Sequence, residues 1–255
     1  MKDGDDGALR GGNDGRRGRL RRWLTIAGVA MLAATVEVAC TLAPRRPGAA
    51  TVPVAPGSVP GAAASVDSPS IEERAAAIKA AADRSDHEPD SKVRAELASE
   101  ANSNADACLA LAPGAAACQY GKAVATGLEA RAHPTRAGGL LGSMLQNLGN
   151  AEATDPNYDK AGPARVRALV LIRAPSWPLG PGDTDAGLVA ARRAVALQPD
   201  YPPNVLALAE ALSKTGDEAG ARESYTHARE LAQSLPSGPE RDAWLQEAEA
   251  ALRHR

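Results

Sequence analysis

Phenylalanine is absent from this 255-residue chain, and three tryptophans and four tyrosines supply all of its aromatic rings. A core without Phe must be filled by Ala, Leu and Val. That favours helices that approach closely through small side chains, and it argues against a sheet, whose strands prefer β-branched and aromatic residues. An excess of charge is missing too: 29 basic residues face 31 acidic ones, for a net charge of −2. The basic footprint of a nucleic-acid binder is therefore not expected. The four histidines, His87, His133, His227 and His254, are scattered, and none has metal-ligand spacing with another His or a Cys. No Gly-rich phosphate loop follows a strand-like run, and there is no nucleophile elbow. The expectation is a non-enzymatic protein with no metal and no cofactor.

Long apolar runs are also scarce. The one candidate, Trp23 to Val36 (WLTIAGVAMLAATV), is short for a membrane span, which needs about 20 apolar residues. It follows the basic stretch Arg16 to Arg22 (RRGRLRR), and basic-then-apolar is the layout of a secretory signal. Cys40 comes next, after Val38 and Ala39. This order is similar to a bacterial lipoprotein signal, in which a small residue precedes the Cys that is lipidated. Glu37 departs from it, standing where such signals carry an apolar residue. Three readings of residues 1–40 stay open: a lipoprotein signal with Cys40 lipidated, an uncleaved signal anchor, or plain secretion. Each puts the body of the chain on the periplasmic side of the envelope. Residues 41–69, rich in Pro, Ala, Gly, Ser and Val with few charges, bury too little surface to offset their ordering entropy and read as a disordered tether.

From Ser70 onward the chain has helical character and a countable beat. Cys108–Pro113 (CLALAP), Ala151–Pro156 (AEATDP) and Ala194–Pro199 (AVALQP) each place a small residue five before a proline and Ala three before it. The two intervals between these prolines are both 43 residues. Equal intervals mark a repeat architecture, each proline closing one helix and opening the turn to the next. Expected helices are Ser70–Arg84, Ser91–Leu111, Ala116–Ala132, Arg136–Thr154, Pro163–Ile172, Thr184–Leu197, Asn204–Lys214, Glu218–Ser234 and Pro239–Arg253. The last, with Trp244 and Leu252 among alanines, is read as a cap on the stack.

After Pro199, the residues Val205, Leu208, Ala209, Leu212, Gly216, Ala221, Tyr225 and Ala228 fall where a tetratricopeptide repeat (TPR) keeps its large, small and aromatic positions. The middle of the chain is more particular. Cys118–Ala123 (CQYGKA), Asp155–Tyr158 (DPNY), Gly162–Arg165 (GPAR), Ser176–Pro178 (SWP), Gly182-Asp183 and Pro199–Asn204 (PDYPPN) together resemble the TPR lipoproteins that accompany TRAP transporters, the T component. The likeness runs over about Lys92 to Leu231. It implies an all-α, right-handed superhelix of antiparallel helix hairpins over residues 70–255. It also implies a periplasmic, membrane-tethered scaffold that forms homo-oligomers, contacts the solute-binding protein of a transporter and handles a small apolar ligand. The alternative is a general envelope-assembly adaptor that grips an extended peptide.

By TPR phase, Tyr120, Val124, Arg167, Leu206 and Glu210 would line the concave groove. The 43-residue units exceed a TPR by insertions between paired helices, at Ala132–Gly139 and at Ala174–Leu188 (APSWPLGPGDTDAGL), and equivalent loops of stacked hairpins emerge side by side. Trp177 in the second loop has two readings: a ring that covers the open end of a hairpin, or a binding anchor. Asp183 reads as a helix N-cap. Tyr158 and Tyr201 recur two residues after a helix-ending proline and read as packing residues. Arg165 has Asp159 as a candidate partner. Cys108 and Cys118, ten apart across a turn and behind a secretory signal, are expected to form a disulfide, against two small buried thiols; Cys40 is left over.

Overall fold

The computed structural model describes residues 69–253. The expected signal, the expected lipidation at Cys40 and all but the last residue of the expected tether lie outside the described residues. Within them the chain is all-α: α1 Ile71–His87, α2 Ser91–Leu111, α3 Ala116–Ala132, α4 Ala137–Thr154, α5 Tyr158–Arg173, α6 Thr184–Leu197, α7 Pro202–Lys214, α8 Glu218–Gln233 and α9 Pro239–Arg253. A 3-10 turn, Pro134–Arg136, leads into α4. Among the described residues no helix is long and apolar enough to cross a membrane.

Local chemistry sets the ends. Ser70 and Glu73 make a reciprocal capping box at the start of α1. Asp183 accepts from the Ala186 N–H at 2.9 Å and opens α6, and Asp217 does the same for Gly220 at α8. Gly216, at φ +87°, makes the left-handed turn between α7 and α8. Helix α7 starts two residues before the sequence expectation, at Pro202, because proline fits the first helical turn, where its missing N–H is not needed.

Each helix packs on the next in the chain, and short links make such neighbours run antiparallel. A second set of contacts joins α1 to α3, α3 to α5, α5 to α7 and α7 to α9, whereas no even-numbered helix touches the next even one. The odd helices thus form one continuous row. Small residues let the helices close up: Ala101, Ala105, Ala123, Ala125, Ala209, Ala211, Ala221 and Ala248 are all fully buried. At Gly187 of α6 an added methyl would overlap Ile172 of α5. The last cluster is closed by α9, whose buried Trp244 meets Tyr201 edge-to-face at 5.7 Å. Cys108 at the end of α2 and Cys118 in the first turn of α3 are joined by a disulfide across the turn at Pro113-Gly114.

Candidate functional site

Three features stand out along the odd row. The first is a buried polar knot where α5 begins. Asp159, Lys160 and Ala161 have φ of 48°, 52° and 62°, three consecutive non-glycine residues in the left-handed region. L-residues adopt that region at a cost of about 1–2 kcal/mol each, so the surroundings must hold the turn. They do so through one guanidinium and one amide. Arg165 Nη1 donates to the Asp159 and Lys160 carbonyls at 3.3 and 3.2 Å, and Arg165 Nη2 to Asp159 Oδ2 at 2.9 Å. Asn204, fully buried, accepts from Arg165 at 3.1 Å and donates to the carbonyls of Lys160, Ala194 and Gln198. The Tyr120 hydroxyl donates to Asp159 Oδ2 at 2.9 Å.

The Arg165–Asp159 side chains are only 3% and 4% exposed. Burial opposes the Arg165 charge, but the surrounding Tyr120, Asp159 and Tyr201 outweigh it and raise its pKa above the ordinary value. Burial, and then the Asp159 carboxylate, push Tyr120 well above the usual phenol range. Tyr158, edge-on to Tyr120 at 5.4 Å, and Tyr201, under the Arg165 guanidinium at 5.2 Å, are each pushed to about 12, chiefly by burial. These bonds tie the left-handed turn to α3, α6 and α7, and the arrangement serves rigidity.

The second feature is a charge cluster drawn from α5, α7 and α9, in which Arg173 and Glu210 are half-buried and Glu247 is exposed. Arg173 Nε donates to both Glu210 oxygens at 2.9 and 3.0 Å, and Nη2 adds a third bond at 2.5 Å. Glu247 of α9 lies within the field of both; crowding by protein raises its carboxyl pKa, with Arg173 opposing that and Glu210 adding to it, although its side chain keeps an exposed face. Glu210 thus holds the Arg173 guanidinium, with Glu247 coupled to the pair through charge.

The third is the loop between α5 and α6. Its base is tight: Gly182 N–H donates to the Pro175 carbonyl at 2.9 Å, Leu179 N–H to Ser176 at 3.1 Å, and Asp183 N–H to Leu171 at 2.9 Å. A methyl at Gly180 would sit 2.7 Å from the Pro175 carbonyl oxygen, so only glycine permits this fold-back. Trp177 and Leu179 project from it, 87% and 76% exposed. The reading of Trp177 as a cover for a hairpin end is therefore corrected: its ring covers nothing in the described chain. The two inserted loops do stand side by side, since a methyl at Gly138 would come within 3.0 Å of the Leu179 carbonyl oxygen.

The groove residues taken from TPR phase fare unevenly. Tyr120, Val124 and Leu206 are 5%, 5% and 4% exposed, and their side chains face neighbouring helices rather than an open surface. Arg167 is half-buried and turned toward α4, where its Nη2 is 3.4 Å from the Leu145 carbonyl. Glu210, on α7, is held by Arg173. The sequence reading missed Arg173 and Glu247; an Arg in the last turn of α5 carries no motif that would single it out.

Among the described residues there is no cluster of His, Cys, Asp and Glu that could hold a metal ion. No protein-family model matches the chain, and no curated protein matches it.

Proposed function

We propose that the chain is a non-enzymatic, TPR-like helical scaffold on the periplasmic side of the envelope, membrane-tethered through its N-terminus by Cys40 lipidation or by a signal anchor. In this reading it assists a TRAP-type solute transporter by contacting the solute-binding protein. The observation that carries the scaffold reading is the contact pattern: odd helices touch in an unbroken series and even helices do not touch one another. Helix pairs stacked with their first members inward would give such a series, and it supports the reading of a right-handed TPR-like superhelix. The 43-residue beat and the eight TPR positions after Pro199 support the same arrangement. The transporter assignment rests on the resemblance of the motifs between Lys92 and Leu231.

One observation favours the alternative, an adaptor for an extended peptide. The accessible chemistry on the odd row is charged, in Arg173, Glu210 and Glu247, whereas transfer of a small apolar ligand calls for an apolar groove. Affinity capture of the tagged full chain from its own envelope separates the two readings. Recovery of a TRAP-type solute-binding protein, reduced by Glu210→Arg, supports the first. Recovery of assorted unfolded or precursor chains without that protein supports the second.

A further inference from the structure

We propose that the Trp177–Leu179 tip is a membrane-docking knob that seats the helical domain on the surface of the bilayer to which its N-terminus is tethered. This rests on the envelope-anchored reading of residues 1–40 and deepens it. From Ala174 to Gly182 the loop carries no charged side chain, so nothing ionic need be desolvated when it enters the headgroup zone. Its exposed residues are Ser176, Pro178 and two large hydrophobics, a tryptophan, which favours the boundary between apolar and wet surroundings, and a leucine. The tip is stiffened before it meets a ligand, by Pro175, Pro178 and Pro181 and by the hydrogen bonds at its base.

Area and reach favour a lipid surface over a protein. The two side chains offer roughly 300 Å² of apolar surface. A stable protein interface needs about 800 Å² per partner. The neighbouring segment His133–Arg136 is exposed and polar, and extends the apolar patch no further. A small knob suffices at a bilayer that is always near. Even drawn out fully, residues 37–69 hold the first described residue within about 110 Å of the apolar run. That gives an effective concentration on the order of millimolar, at which weak insertion becomes persistent docking.

The test uses the full chain carrying Trp23→Phe, so that the anchor contributes no tryptophan emission. It is reconstituted into phosphatidylethanolamine–phosphatidylglycerol vesicles, with or without brominated acyl chains. Trp244, buried against Tyr201, serves as the internal reference. The expected result is a blue-shifted emission that bromolipid quenches, most strongly with bromine near the headgroups. That quenching should be lost when Trp177→Phe is added. Equal quenching with and without Trp177 overturns the proposal, as does no quenching in either protein. If the chain does not float with the vesicles at all, the envelope reading fails and the docking proposal with it. If the chain floats, Trp177 stays unquenched, and Trp177→Ala removes the captured partner, the knob is a protein anchor and the lipid proposal alone is wrong.

Discussion

At the scale of single residues, the fold depends most on a side chain that a charge count would place on the surface. Arg165 is buried with its carboxylate partner and holds three left-handed residues in place. Removing one partner of a buried pair strands the other charge, at a cost of about 3–5 kcal/mol. Arg165→Ala should lower the unfolding free energy in urea by that amount; a loss under 1 kcal/mol would contradict the role given to the knot. The Glu247 carboxyl makes the opposite kind of prediction. Its folded pKa is raised, so the native state holds that proton more tightly than the unfolded chain does. Stability is therefore lost as pH rises from the unfolded value near 4.5 through the folded one. Glu247→Gln should raise Tm at pH 7, and the gain should fade on acidification below about pH 4. An unchanged or growing gain in acid would reverse the sign of this argument. The Asp159 pairing with Arg165 was legible in the sequence, six residues apart around Gly162-Pro163. The left-handed turn was not, because no glycine or asparagine occupies residues 159–161 to announce it.

At the scale of elements, glycines divide by what surrounds them. Gly187 allows α6 to cross α5 against Ile172, whereas Gly142 on α4 has nothing within 4 Å of the place a methyl would take. Gly142→Ala should stabilise by about 0.5–1 kcal/mol, the helix-propensity difference. Gly187→Ala should destabilise by about 1–3 kcal/mol through overpacking. Thermal melts of the two single variants check the contrast. Reduction of Cys108–Cys118 should cost about 2–3 kcal/mol if closure of a short loop is its main effect, read as a shift in the urea midpoint with and without reductant. The boundaries of α2, α3, α6 and α9 coincide with the expectation because caps, prolines and the 43-residue beat mark them. Those of α5 do not: the expected start at Pro163 finds the regular helix, but the segment from Tyr158 is bound into it by long-range bonds from Tyr120 and Asn204. Contacts made 39 and 44 residues away leave no local signal.

At the scale of the whole described chain, a helical stack buries apolar surface only between neighbours, and its ends must be covered. The all-α class followed from what the composition lacks. The identity of the surface residues did not, because helical phase drifts with each insertion. Tyr120, Val124 and Leu206, expected on a groove, are buried between helices, and Trp177 is exposed on the fold-back of its own loop. On the proposed scaffold reading the working face is the odd row, charged at Arg173, Glu210 and Glu247. Hydrogen exchange by mass spectrometry, on the full chain alone and with a TRAP-type solute-binding protein captured from the same envelope, tests this most directly. Slowed exchange on binding in α5, α7 and α9 is the predicted result. Protection confined to α4, α6 and α8, or none anywhere, would contradict it.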